Sequence, residues 1–197
     1  MSSRRVQVVV LCEGEKDFRF AYRCLVECGW RPDQIKANIS PPGKCSAYDY
    51  VLDNYPVEVR ANRKGKGQRE LLVLVDADKK KEDGRRKQLE QRLHKAREPA
   101  RRGDDRIALW VPTRQLEAWV YFLTHGTADE KTDYKEHHQV KDAERPPAAR
   151  QFARMLKERR ALPTGAVPSM RKAVDEFERI RTVPGSQGPA RRIRKRP

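Results

Sequence analysis

Apolar residues in this chain fall into short dense runs separated by stretches of helical period. Val6 to Cys12 is almost wholly apolar, β-branched at four positions, and oily on both faces of an extended chain. That is the pattern of a central strand in a parallel sheet. A polar EGEKD turn follows. Phe18, Tyr22, Leu25 and Val26 then recur at helical spacing until Gly29 stops the helix. Ile35 to Ile39 reads as a second strand, and a helix is predicted from about Ala47 to Asn54. RANRKGKGQRE reads as a cationic loop. Leu71 to Val75 is the next buried strand. Lys81 to Arg97 reads as an exposed helix with Leu89 and Leu93 on one face. Ile107 to Val111 is a fourth strand, followed by a helix over Arg114 to Leu123.

Strands alternating with helices at this spacing predict βαβ units: an α/β fold with a mostly parallel sheet flanked by helices. Right-handed crossovers then bring every strand C-terminus to one edge, where such sheets carry their sites. The pattern changes after His125. We read residues 5–125 as the domain, 126–147 as a polar loop or linker, 148–183 as a C-terminal helical extension packing on the domain, and 184–197 as a basic disordered tail. The extension's helices are expected over Ala148 to Arg160 and Ser169 to Arg181.

Charge narrows the partners. Lys and Arg total 44 against 28 Asp and Glu, a formal net charge of +16 in 197 residues. Such a field draws polyanions, and nucleic acid is the expected partner. A highly soluble basic surface would have the same composition. No stretch has the apolar length to span a bilayer, and the N-terminal apolar run is too short for a secretory signal. No membrane partner is expected, and the expected location is cytoplasmic. Cys12, Cys24, Cys28 and Cys45 form no CxxC pair and read as reduced thiols. No GxxxxGK[ST] phosphate loop is present.

The chemistry concentrates in LLVLVDADKK. An oily strand delivers Asp76 and Asp78 to the functional edge, on the same side and about 6.6 Å apart if the extended chain continues. Two like charges so placed repel and raise each other's pKa. A hard divalent cation, Mg2+ or Mn2+, removes that conflict, because it takes carboxylate, water and phosphate oxygens. Glu13 leaves the first strand in the same direction and joins the set, with Gly14 allowing a tight turn. Asp17 reads as a helix-opening residue placed by the helix dipole. The simpler alternative is that Asp76 and Asp78 cap the next helix or pair with the lysines after them. DxD also occurs in haloacid-dehalogenase phosphatases and in sugar-nucleotide glycosyltransferases.

EGEKD after a first strand and a later hydrophobic strand ending DAD resemble the two signature motifs of Toprim domains, the metal-binding folds of topoisomerases, primases and OLD-type nucleases. The resemblance covers about residues 5 to 125. It is nearest to small stand-alone Toprim proteins, through VPTRQLEAWV, PPGKCSAYDYV and PSMRKAVDEF. It implies a Toprim-like, Rossmann-like sheet and Mg2+ (or Mn2+) as cofactor. It implies Glu13 as general base or acid and as a ligand, Asp76 and Asp78 as the metal pair, and Glu117 as a further acidic ligand. It singles out Lys172 as a catalytic cation. It also implies an ATPase partner protein in a defence or repair pair.

Cations suited to phosphates are Lys16, Lys44, Lys79, Lys80 and Arg114, each of which is equally a solvated surface residue. The sequence therefore supports a metal-dependent nuclease acting on nucleic acid, DNA in the first instance. A non-catalytic nucleic-acid-binding or assembly subunit is the alternative. An enzyme of small phosphate esters is a third reading, disfavoured by the basic excess. An oligomer is left open.

Overall fold

The computed structural model describes residues 6–41, 43, 46–65, 68–78, 81–136, 140–158 and 162–180. Four strands form one parallel sheet: β1 (Gln7–Cys12), β2 (Ile35–Ile39), β3 (Arg69–Leu74) and β4 (Ile107–Trp110), in the order β2-β1-β3-β4. The helices are α1 (Glu15–Glu27), α2 (Ala47–Lys64), α3 (Lys81–Lys95), α4 (Leu116–His125), α5 (Arg145–Glu158) and α6 (Pro168–Phe177). This is a Rossmann-like α/β architecture, and it carries the expected four strands.

Side-chain alternation divides the core into two layers. Val8, Val10, Leu72, Leu74, Ala108 and Trp110 face the layer of α1, α4, α5 and α6. Val9, Leu11, Leu71, Val73, Ile107 and Leu109 face α2 and α3. β1, β4 and the Leu71–Leu74 part of β3 are oily because both faces are covered, whereas the edge strand β2 carries Lys36 and Asn38 and is largely open. The chain leaves β1 for β2 on one side and returns to β3 on the other. The order therefore reverses between β1 and β3, the switch point where open α/β sheets form their crevice.

Two expectations change. The helix predicted to end near Asn54 runs to Lys64 and takes in the first five residues of the supposed cationic loop. Pro56 lies inside it without ending it, because Tyr55, Val59 and Asn62 extend the buried face. Asn62 also donates to the carbonyls of Arg69 (2.8 Å) and Arg106 (3.1 Å), locking the helix to the starts of β3 and β4. α3 is less exposed than its composition suggests: Leu89, Leu93, Glu82 and Arg85 are all buried.

The last helix closes a sheet edge. β4 is an edge strand, and unpaired strand edges invite association. Glu176 of α6 accepts the Leu109 N–H at 3.0 Å. Arg86 donates to the Leu109 carbonyl and Arg101 to that of Ile107, and both arginines pair with Glu176. Trp110 Nε1 donates to the Ala173 carbonyl at 3.1 Å. Among the described residues, no helix is long and apolar enough to cross a membrane.

Candidate functional site

The ends of β1 and β3 are tied together at the switch point. The backbone N–H of Asp76 donates to Oε1 of Glu13 at 2.9 Å. Oδ1 of Asp76 accepts the N–H of Leu116, the first residue of α4, at 3.0 Å. Asp76 thus caps a helix forty positions later rather than the one that follows it. Beyond β3 the chain continues to pair with the segment after β4, through Ala77 to Pro112 and Asp78 to Arg114.

Asp76 stands between two cavities. One, of about 470 Å³, is lined by Glu13, Asp17, Asp76 and Glu117, with Lys16, Lys135 and Arg145 among its cations. The other, of about 680 Å³, holds Tyr48, Asp78, Arg85, Arg114 and Asp133. Asp76 and Lys135 line both.

The acidic cavity is electrostatically strained. Burial, reinforced by Asp17, Glu13, Glu117 and Asp78, pushes the Asp76 carboxyl well above the usual carboxylate range. This outweighs the Leu116 N–H, which favours the ionised form. Burial, and then Glu117, raises Asp17 to about 6, with Arg145 and Lys135 opposing. Burial likewise raises Glu13 to about 7, against the Asp76 N–H bond.

The structure joins Glu13, Asp76 and Glu117 in one cavity, and Asp78 lines the other together with Asp76. Asp78 has left the strand, with φ at +51°, so strand alternation no longer sets its direction. Its carboxylate pairs with Arg85 at 2.9 Å. Arg85 is buried. It also donates to the Asp76 carbonyl at 2.7 Å and lies 3.6 Å over the Tyr48 ring. Asp76 and Asp78 thus line one cavity together, with Asp78 already neutralised by Arg85. The member that sequence reasoning misses is Asp17, whose position in the chain reads as a dipole residue. It stands on the first turn of α1, and the fold turns it toward Glu117 and Asp76. Glu117 is itself paired with Arg145 at 2.6 Å.

The cations are also redistributed. Lys16 pairs with Asp142 at 2.9 Å, on the rim of the acidic cavity. Arg114 pairs with Asp133 at 2.7 Å. Lys172 lines neither cavity. It pairs with Glu82 (3.0 Å) and Asp83 (3.1 Å) on the first turn of α3, so a catalytic place for it has no support from position. Lys44, Lys79 and Lys80 lie outside the described residues, as do residues 181–197. Gly14 is extended (φ −153°), a conformation open to any residue, so the turn does not require glycine.

The segment read as a polar linker borders the site. Oδ1 of Asp133 accepts the backbone N–H groups of Lys135 (3.2 Å) and Glu136 (2.9 Å) and the Gln115 side chain. Tyr134 is buried 4.5 Å from the Tyr121 ring. These bonds hold Asp133 far below the usual carboxylate range, led by the Glu136 N–H, then Arg114 and Gln115.

Among the described residues, no three His, Cys, Asp or Glu side chains converge as a group that could enclose a metal ion. Carboxylate oxygens are the donor type that hard divalent cations take. Glu117 is buried and Glu13, Asp17 and Asp76 are half-buried around one cavity, where among the described residues Glu117 is paired with Arg145.

The family, curated-protein and solved-structure comparisons found no match to this chain.

Proposed function

We propose that this protein is a metal-dependent nucleic-acid phosphodiesterase, a Toprim-type nuclease that works with an ATPase partner in defence or repair. The observation that carries the reading is the meeting of Glu13, Asp17, Asp76 and Glu117 in one cavity at the sheet's switch point, in a chain of net charge +16. The ATPase partner rests on the motif resemblance alone.

Glu13, Asp76 and Asp17 would hold Mg2+ or Mn2+, with Glu117 joining if Arg145 releases it. The cation would neutralise the clustered carboxylates and the charge that develops on a phosphodiester under attack. Glu13, held ionised by the cation, would take a proton from an attacking water. The Asp76 N–H fixes Glu13 at Oε1, which orients its other oxygen. Asp76 holds α4 to the site through Leu116. The basic surface supplies the sequence-independent attraction to the backbone.

The test is cleavage of supercoiled and linear DNA in Mg2+ or Mn2+ by wild type and Asp76→Asn. Metal-dependent cutting lost in the variant supports the reading. No cutting by a folded wild type, with or without an added ATPase, rejects it.

One observation favours the alternative, a non-catalytic nucleic-acid-binding or assembly subunit. Arg85 and Arg145 already neutralise Asp78 and Glu117, two of the four carboxylates expected to bind metal. In that reading the arginines replace the metal, and DNA binding is indifferent to chelation.

A further inference from the structure

The cations around the two cavities are, with one exception, already committed. Arg85 is held by Asp78, Arg114 by Asp133, Arg145 by Glu117 and Lys16 by Asp142. Lys135 borders both cavities, and among the described residues it makes no ion pair. It stands close enough to Asp17 for its charge to be felt there, yet it is not drawn into an ion pair with any carboxylate of the described residues.

That position is built rather than incidental. Asp133 accepts the Lys135 backbone N–H and binds both side chains that precede α4, Arg114 and Gln115. Tyr134, the adjacent residue, is buried and its hydroxyl accepts the Asp129 N–H at 3.0 Å. The backbone on either side of Lys135 is therefore anchored, while the residue is exposed and lines both cavities. An exposed lysine with a fixed base, an uncommitted charge and open space on both sides suits an anion that passes between the cavities.

We propose that Lys135 is the substrate-contacting cation of this site and binds the phosphate of a nucleic-acid strand that lies across Asp76 from one cavity to the other. The proposal rests on the phosphodiesterase reading and assigns the phosphate contact to a residue with no motif of its own. Asp133 is then a positioning residue, which acts through the loop.

The test compares wild type, Lys135→Ala, Lys135→Arg, Asp133→Asn and Lys36→Ala. Lys36 is an exposed lysine on β2 and controls for loss of one charge. Cleavage of DNA is read in Mg2+. Binding of a fluorescent single-stranded oligonucleotide is read in Ca2+ across a salt series. Lys135→Ala is expected to lower kcat roughly a hundredfold. It should also reduce the slope of log affinity against log salt by about one. Lys135→Arg should restore the slope, Lys36→Ala should match wild type, and Asp133→Asn should fall between wild type and Lys135→Ala.

If wild type cuts and Lys135→Ala cuts as well with an unchanged slope, this proposal is overturned and the nuclease reading stands. If wild type binds but does not cut, the nuclease reading fails. The phosphate contact then stands or falls on whether Lys135→Ala changes the slope while Lys36→Ala does not. A folded wild type that neither binds nor cuts overturns both.

Discussion

The N–H of Asp76 donates to Oε1 of Glu13 at 2.9 Å, so the two strand ends that define the switch point hold each other through the carboxylate that chemistry would use. Glu13→Gln keeps an oxygen to accept this bond and removes a charge from a crowded cavity. We expect it to melt no lower than wild type while abolishing metal-dependent cleavage. Glu13→Ala loses the acceptor and should destabilise by about 1 kcal/mol. Thermal denaturation beside a cleavage assay separates the two effects.

Stability in chelator should rise as pH falls from 8 to 5. Glu13 and Asp17 have folded pKa values raised to about 7 and about 6, above their ordinary 4.5 and 3.8, mainly by burial. Between the unfolded and folded values the native state binds more protons, so stability falls as pH rises through that window. A tenfold difference in proton affinity between the two states corresponds to about 1.4 kcal/mol at most, and partial exposure of both residues reduces it. Asp105 and Glu176 shift the opposite way, and their contribution disappears only in stronger acid. Urea midpoints across this range check the sign. A divalent cation that binds the cavity should flatten the profile, because it replaces protons as the neutralising charge.

Arg85 should matter more to folding than its partner Asp78. The guanidinium is buried, bonds the Asp76 carbonyl and lies on Tyr48, whereas the Asp78 side chain is 61% exposed. Arg85→Ala should cost about 3 kcal/mol, because a buried carbonyl loses its donor and the packing over Tyr48 is lost. Asp78→Ala should cost less than about 1 kcal/mol. The reverse ranking in denaturant titrations would show that Asp78 is held by something other than this pair.

Glu176 protects the β4 edge. Glu176→Ala leaves the Leu109 N–H without its acceptor and Arg101 without its main partner. Destabilisation of about 3 kcal/mol is expected, with dimers or larger species in light scattering as the edge opens. Glu176→Gln retains the acceptor and should remain monodisperse at the same concentration wherever wild type does.

The strands and their order of appearance are legible in the sequence, because β1, β3 and β4 hold dense oily runs and burial on both faces demands that pattern. The run Ile35 to Ile39 coincides with β2 to the residue. α2 outruns its sequence signal because Pro56 and the Arg60–Lys64 charges mark a stop locally, while the buried face of Tyr55, Val59 and Asn62 depends on a sheet that sequence does not display. Glu13 and Asp76 can be found because they end strands, and a parallel sheet brings strand ends together by topology alone. Asp78 cannot be placed, since one left-handed residue ends the alternation that the inference uses.

What the sequence by itself determined was the α/β class, the edge on which carboxylates collect and the cationic character of the surface, all of which follow from local period and composition. Only the tertiary structure decided which charges meet. Asp17 joins the cavity, Asp78 and Glu117 are taken by Arg85 and Arg145, Lys172 is held at α3, and Lys135 stands between the cavities. Ion pairing depends on distances of a few ångströms between residues far apart in the chain, and those distances exist only once the helices have packed on the sheet.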